Sequence, residues 1–294
     1  MKNKSRRFVL TDILYIAMMI VPVIIGIVIK TMTRPVGDGV SITGAQVYFK
    51  IPMPIQDLII SESQINSLIV MISVFGLCLY LTHGLKTRNI SKRQHLAEWI
   101  IEKTDNMVSS NMGEFFISFS PFIIAMLALS GFSSLLTLLG LYAPTSDLNI
   151  VGGWAILVFI LITYYKFKCG PLQYMKSFAE PVALLAPMNI ISEIATPVSM
   201  AFRHYGNVLS GSVISVLIAY ALGNLSNLLL GFLPGVLGDI PFLRIGIPAV
   251  LSIYFDVFSG LLQAYIFAML TMMYVSGGFP SDLYFKRKNR KIKN

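Results

Sequence analysis

The chain has 294 residues, of which 55% are hydrophobic and only 13% charged, and its formal net charge is +9. A soluble domain carries about 25% charged residues, so this composition excludes an ordinary soluble protein. The basic residues lie in short flanks between apolar runs, as the positive-inside rule describes, which argues against a nucleic-acid-binding surface. Several runs approach or exceed the ~20 residues that cross a bilayer as a helix, and they are continuous rather than alternating. The sequence therefore predicts one all-α polytopic membrane domain.

The first predicted membrane helix covers residues 8–29 and follows four basic residues. Its apolar part is longer than that of a signal peptide, and no small-residue cleavage motif follows it. We interpret it as a retained signal-anchor helix with its N-terminus in the cytoplasm. Residues 31–64 are mixed and rich in proline and glycine. They are expected to form a loop on the outer face, with room for short structured pieces.

Three further spans are predicted by apolar runs that alternate with basic flanks. Residues 65–81 end in a basic cytoplasmic segment, 83–93, and the runs 115–141 and 150–165 are joined by a turn-rich outer loop. The intervening residues 94–112 predict a helix. Their pattern fits a helix lying along the membrane interface and an ordinary cytoplasmic helix equally well.

The C-terminal part contains an apolar stretch of about forty residues, 182–222, followed by a second long run, 245–275. A straight helix of forty residues would span ~60 Å, twice the hydrocarbon thickness. The basic tail after residue 285 belongs in the cytoplasm, so an even number of crossings must follow Lys176. We therefore predict one long tilted helix, an outer turn at 231–248 and one long return helix. The total is about six membrane segments with both termini in the cytoplasm.

A permanently charged residue, Arg203, lies inside the long helix with no carboxylate within four residues. Arginine keeps its proton at any ordinary pH, and an arginine at membrane depth costs roughly 3 kcal/mol or more unless it faces a bundle interior or a watery cavity. Helical spacing places it in a polar stripe, and Asp256 begins a shorter stripe on the last helix. The stripes consist of Glu193, Thr196, Ser199, Arg203, Asn207 and Ser210, and of Asp256, Ser259 and Gln263.

Two interpretations of these stripes stay open. The intramembrane position favours a functional role for Arg203 and Asp256, whereas the alternative is a buried pair between them that fixes helix register. Glu193 fits a functional role and a side chain that simply faces water equally well. For Asn207 and Gln263 an interhelical hydrogen bond is the simpler explanation.

Two other residue types carry no predicted site. His204 points about 100° away from its neighbour around the helix, so it is predicted to be a packing residue. The two cysteines lie in different segments without metal-ligand spacing and are predicted to be unpaired thiols. No catalytic constellation, metal site or cofactor site is predicted.

The block around Arg203 resembles a signature of subunit a of F-type ATP synthases, Pro-Leu-Ser-Leu-x-Leu-Arg-Leu-Phe-Gly-Asn-x-x-Ala-Gly. Here it reads Pro-Val-Ser-Met-Ala-Phe-Arg-His-Tyr-Gly-Asn-Val-Leu-Ser-Gly over residues 197–211. Residues 262–275 are similar to the last helix of that family, which carries Leu-Gln-Ala-Phe-Ile-Phe and then Leu-Thr. Residues 144–149 are similar to its outer loop. The resemblance covers roughly residues 60–280.

This resemblance implies a proton-translocating stator subunit, non-catalytic on its own, in which Arg203 faces the rotating ring of subunit c. Asn207, Asp256 and Gln263 would line the outer half-channel, and Glu193 and Ser199 would lie on the cytoplasmic side. The implied partners are the c-ring, the peripheral-stalk b subunits, the F1 sector indirectly and the lipid bilayer. The implied location is a bacterial plasma membrane.

The resemblance also divides the chain and shows where it departs from the family. Residues 1–63 would be an extra N-terminal membrane helix and outer loop, 64–280 the proton-channel domain and 281–294 a basic cytoplasmic tail. Some members carry an acid at the position of Ser212 and a histidine at that of Asp256, so relay through such a pair is not expected here.

Two rival functions are less consistent with the sequence. An ion-coupled secondary transporter would also place Arg and Asp in the membrane, but the chain shows no internal repeat. An intramembrane enzyme ranks last, because no Ser/His/Asp, zinc-type or phosphate-loop pattern is present.

Overall fold

Long helices account for most of the regular structure, as the continuous apolar runs predict. The computed structural model describes residues 2–33, 44–54, 57–88, 90–170, 186–230 and 253–279, together with residues 174, 178, 184, 243, 246, 248, 250 and 251. Seven α-helices have described bounds: α1 Lys2–Thr33, α2 Glu62–Thr82, α3 Lys92–Met112, α4 Ser120–Leu135, α5 Leu148–Cys169, α6 Ala186–Leu230 and α7 Gly260–Gly277. Short 3-10 helices, Glu114–Phe119 and Leu136–Leu139, flank α4, and a π-helix, Ile253–Ser259, leads into α7.

Six helical segments among the described residues are long and apolar enough to cross a membrane. They are Val9–Thr33, Glu62–Thr82, Glu114–Leu139, Leu148–Lys168, Ala186–Leu229 and Ile253–Gly277. Their number and order confirm the prediction of an all-α polytopic membrane protein with six segments. The remaining helix, α3, is the one that the sequence placed outside the spans.

The helix α6 is a single element of 45 residues. At 1.5 Å per residue it is ~68 Å long, more than twice the hydrocarbon thickness. The structure thus confirms one long helix rather than two crossings. The return helix is described from Ile253 to Gly277. Most of the predicted outer turn, 231–248, and the whole predicted tail, 281–294, lie outside the described residues.

The segment before α2 contains a β-hairpin, which the sequence did not specify. Strand β1, Val47–Ile51, pairs antiparallel with β2, Leu58–Ser61, and the register places Phe49 opposite Ile60. The hairpin runs directly into α2, since β2 ends at Ser61 and α2 begins at Glu62.

The chain divides into two compact units. Unit 1 comprises Met1–Ala97, Ala128–Asp147 and Tyr205–Ala264, and unit 2 comprises Glu98–Leu127, Leu148–His204 and Tyr265–Asn294. The core of unit 2 is formed where α3, α4, α5, α6 and α7 contribute buried apolar side chains. This core consists of Val108, Met112, Phe116, Phe119, Ile123, Val158, Ile162, Met200, Phe267, Ala268, Met272, Val275 and Phe279.

In unit 1, α1 lies closely against α2. A Cβ atom on Gly76 would stand 3.1 Å from the backbone nitrogen of Met19, so any larger residue would push the two helices apart by a few tenths of an ångström. Ser73 Oγ donates a hydrogen bond of 2.9 Å to the carbonyl of Met19. A polar contact thus joins the two helices in addition to their close approach.

The charged residue within the apolar part of α1 is also paired. Asp12 Oδ1 accepts from Arg93 Nη1 at 2.9 Å and lies 2.8 Å from His83 Nδ1. Arg93 donates in addition to the carbonyl of His83 at 2.7 Å. The basic segment that the sequence predicts after the second span therefore also holds α1 in place.

Candidate functional site

Arg203 lies on the exposed face of α6. Ser199 and Arg203 are exposed, one turn apart. The buried residues of the same stretch follow at helical spacing on the opposite side: Pro197, Met200, Ala201 and His204. Within unit 2 the described residues give Arg203 no hydrogen bond or ion pair. The helix therefore presents a permanent positive charge outward from its own unit.

His204 fixes the rotation of α6 in unit 2. Its ring is fully buried and meets Trp154 and Phe267 edge-on, with centroids 6.1 Å and 5.5 Å apart. This confirms the prediction of a packing histidine. Because successive residues are about 100° apart around a helix, burying His204 turns Arg203 towards the outside.

Glu193 is held by two partners in unit 2. Its Oε1 lies 2.7 Å from Lys166 Nζ and accepts from the hydroxyl of Tyr174 at 2.8 Å. Burial raises the pKa of Tyr174 to about 12, and the hydrogen bond to Glu193 and its negative charge act in the same direction. A cavity of about 200 Å³ lies beside this pair and is also lined by Thr196 and Gly278.

The ion pair with Lys166 fixes the placement of Glu193 on α6. Ten residues of helix separate it from Arg203, so it lies about 80° around the axis and nearer the packed side. The sequence could not identify the partners of Glu193, because both lie on other segments of the chain.

Asn207 and Ser259 join α6 to the last span within unit 1. Asn207 Nδ2 donates to Ser259 Oγ at 2.9 Å, and Ser259 Oγ is 3.1 Å from Asn207 Oδ1. The two elements also approach at Gly211, where an added Cβ would lie 3.3 Å from Phe255 Cβ. The interhelical hydrogen bond predicted for Asn207 is confirmed.

Asp256 lies in the π-helix Ile253–Ser259, one turn before the Asn207 partner Ser259. Its side chain is partly exposed. A π-helix is rare and is frequently found at functional sites. Gln263 follows on α7 in the same unit and is 5% exposed.

The predicted site residues thus fall into two groups. Asn207, Asp256 and Gln263 belong to unit 1, whereas Glu193, Ser199 and Arg203 belong to unit 2. The alternative pairing of Arg203 with Asp256 would join different units and stays a prediction. In the described part of the chain, no group of three or more His, Cys, Asp or Glu side chains could hold a metal ion.

A polar cluster at the start of α2 was missed by the sequence analysis. It includes the buried side chains of Glu62, Ser63 and Asn66. The only sequence signal was the likeness of the neighbouring segments to the family. Glu62 was not singled out, because its partners come from α1 and from the loop after α4.

Comparisons with known proteins agree with the resemblance around Arg203. The family described as "ATP synthase A chain" matches residues 65–276. A protein named ATP synthase subunit a from Bacillus subtilis (strain 168) is 32% identical over 230 residues, which cover 73% of this chain and 92% of the relative. The subunit a of Bacillus pumilus is 31% identical over 71% of this chain and 89% of its own. That of Desulforamulus reducens is 34% identical over 66% and 70%. The chain therefore belongs to the ATP synthase subunit a family.

Proposed function

We propose that this chain is the ion-conducting stator subunit of an F-type ATP synthase and that Arg203 is the fixed charge facing the ring of subunit c. The observation that carries the proposal is the exposed guanidinium of Arg203, which has no partner among the described residues of its unit. The family block around it supports the same role. Because unit 2 provides no counter-ion for Arg203, its charge is available to pair in turn with the carboxylates of a rotating ring.

The physics of such an encounter is simple. A ring carboxyl that faces lipid stays protonated, because burial disfavours its charged form. Beside Arg203 the carboxylate is favoured by an attraction of about 4 kcal/mol at ~4 Å and an effective dielectric of about 20, before the cost of desolvation. The proton therefore leaves near the arginine, and the ring moves on with its next protonated site.

Arg203 also separates the two half-channels in this proposal. A guanidinium cannot release its proton, so it does not relay protons from one side to the other. A membrane potential of 100 mV contributes about 2.3 kcal/mol for each charge that crosses. The direction of proton flow then sets the direction of rotation, without covalent chemistry in this chain.

The two groups of site residues fit two half-channels. We assign Asn207, Asp256 and Gln263 to the outer one and Glu193 and Ser199 to the cytoplasmic one. In the latter, the ion pair of Glu193 with Lys166 lies beside a cavity. Asp256 in its π-helix gives the former an ionisable group.

The remaining assignments follow from the same proposal. The chain would be non-catalytic, would bind the c-ring and the peripheral-stalk b subunits and would contact the F1 sector indirectly. It would lie in a bacterial plasma membrane with both termini in the cytoplasm. Family membership favours this function over a secondary transporter.

Purification of the tagged full-length chain from its own membranes in mild detergent tests the assembly. We expect a small two-helix ring protein and a soluble ATPase to copurify, identified by mass spectrometry and by ATP hydrolysis in the eluate. An unrelated tagged six-helix membrane protein from the same cells is the control. Recovery of the chain alone, under conditions in which the ring itself stays intact, would contradict the proposal.

Asp256→Asn should slow proton uptake from the outer side. The substitution keeps the shape of the side chain but removes its ionisable group, so both passive proton flux and coupled ATP synthesis should fall. Flux is measured in vesicles after the soluble sector has been removed. Asp57→Asn, at an exposed position outside the membrane segments, is the matched control. Unchanged flux and synthesis in Asp256→Asn would mean that this residue is structural.

A further inference from the structure

A buried carboxylate stands at the outer end of α2 in unit 1. Glu62 is only 3% exposed, and its Oε1 lies 3.1 Å from Lys30 Nζ of α1. The same oxygen accepts from the backbone N–H of Tyr142 at 3.4 Å. Burying a charged carboxylate is expensive unless it is paired, and a pair of this kind is weak evidence for stability. Glu62 therefore suggests a purpose other than holding the fold.

The surroundings of Glu62 are polar rather than apolar. Ser63 donates to Asp147, and Asn66 Nδ2 donates to the carbonyl of Tyr142 at 2.8 Å. The turn Pro144–Ser146 lies against α2. Within it, the fully buried hydroxyl of Thr145 has no hydrogen-bond partner among the described residues. A buried polar group of this kind is usually satisfied by an ordered water.

Titratable groups reach this cluster from every element that surrounds it. Lys30 comes from α1, Tyr48 from the hairpin, and Tyr142 and Asp147 from the loop before α5. Burial raises the pKa of Tyr142, and the charges of Asp147, Tyr205 and Glu62 raise it further. Burial likewise raises the pKa of Tyr48, while its hydrogen bond with Thr33 lowers it and the charge of Glu62 raises it.

The cluster is linked to the outer site residues of the same unit. Tyr142 lies within electrostatic range of Tyr205 on α6. Tyr205 stands two residues before Asn207, whose side chain binds Ser259 beside Asp256. The cluster therefore reaches the stretch of α6 that carries Asn207, and the side chains of Tyr205 and Asn207 leave that helix about 160° apart.

We propose that Glu62, held by Lys30, is a proton-binding group at the mouth of the outer half-channel, and this inference rests on the proposed function. Its carboxylate would take a proton from outer water, leaving a neutral acid, and would pass it to a water on the path towards Asp256. Ser212 occupies the position at which some family members carry an acid, and serine cannot take up a proton in this way. Glu62 and Lys30 both lie outside residues 65–276, the part matched by the family, so this device belongs to the extra N-terminal segment.

The test uses the whole complex in liposomes, with the soluble sector outward and the outer half-channel facing the lumen. Luminal pH is set during liposome formation, a potassium diffusion potential drives protons out, and ATP synthesis is measured against luminal pH. Glu62→Gln should lower synthesis several-fold at high luminal pH, where protons are scarce, and less at low pH. Glu62→Asp should restore much of the profile, and Glu102→Gln on the exposed side of α3 should leave it unchanged.

Lys30→Met is a second variant that keeps the carboxylate. The ammonium lies 3.1 Å from the carboxylate, so its loss should change the luminal pH profile per assembled complex. A purely structural ion pair would reduce the amount of assembled complex without moving this profile. If Glu62→Gln does not assemble, the Lys30→Met profile decides the question alone.

The inference is overturned if Glu62→Gln gives the wild-type pH profile of synthesis per assembled complex. Where only Lys30→Met assembles, a wild-type profile in that variant overturns it. The Lys30–Glu62 pair then serves only to fix α1 to α2. This failure is distinguishable from failure of the proposed function, because Arg203→Ala should still abolish synthesis in the same liposomes. Synthesis that persists in Arg203→Ala refutes the proposed function instead.

Discussion

Arg203→Ala will abolish ATP-driven proton pumping, while the soluble sector, once detached, will still hydrolyse ATP. In the proposed mechanism, two losses combine in this variant. The ring carboxylate has no positive partner near the half-channels, so it cannot ionise there. The barrier between the half-channels also disappears, because alanine leaves a neutral gap where a fixed charge had stood. Pumping is measured by quenching of a pH-sensitive dye in inverted vesicles, and hydrolysis by phosphate release.

Two matched variants separate the charge of Arg203 from its shape. Arg203→Lys keeps a cation but replaces the planar guanidinium by a point charge that can lose its proton when buried, so pumping should be impaired and leaky. Arg88→Ala makes the same chemical change as Arg203→Ala at an exposed position in the loop after α2 and should pump normally. Normal pumping in Arg203→Ala, with assembly confirmed by copurification of the ring, would refute the assignment.

The exposure of Arg203 follows from features that the sequence partly reveals. Its unusual charge is visible from the apolar sequence around it, and the polar stripe indicates which face of the helix carries it. Its outward direction is set by His204, Met200 and Ala201, which are buried on the other side. Sequence spacing predicts which residues share a face, but only packing against Trp154 and Phe267 decides which face is turned inward.

The long helix α6 was predictable for a different reason. Periodicity could not tell one helix from two within an apolar stretch of about forty residues, but the positions of the basic flanks required an even number of crossings. The basic flanks constrain the number of membrane crossings of the whole chain, even where the local pattern does not show how many helices a stretch forms. The β-hairpin before α2 lacks such a constraint, because its strands are short and lie in a mixed segment.

The partners of buried polar residues were the least predictable part. Glu193 binds Lys166 from α5 and Tyr174 from the following segment, and Glu62 binds Lys30 from α1. Each contact joins residues that are far apart in sequence. Helical spacing relates only residues within one helix, so a single sequence leaves these pairs undetermined. For Asn207 the sequence predicted an interhelical hydrogen bond but did not identify Ser259 as the partner.

Gly260→Ala will destabilise the folded subunit, although alanine normally favours helices. Gly260 begins α7 in unit 1, and an added Cβ would lie 2.5 Å from both Cβ and Oγ of Ser134 on α4. Ser134 is 2% exposed, and its Cβ is fixed to the backbone, so it cannot rotate out of the way. Overpacking of this kind costs about 1–3 kcal/mol, which exceeds the gain of about 0.5–1 kcal/mol that alanine brings to a helix interior. The thermal unfolding midpoint of the detergent-solubilised protein should fall.

Two controls assign this loss to a single contact. Gly153→Ala makes the same change in α5, where nothing lies within 4 Å of the added atom, so it should leave the midpoint unchanged or raise it. In the Gly260→Ala background, Ser134→Gly should restore stability, whereas Ser134→Ala should not, because alanine keeps the clashing Cβ. Coupling between neighbours in contact typically amounts to about 0.5–3 kcal/mol, well within reach of a double-mutant cycle. Equal midpoints for Gly260→Ala and Gly153→Ala would show that α4 and α7 are not in contact here, and that the last span is positioned in some other way.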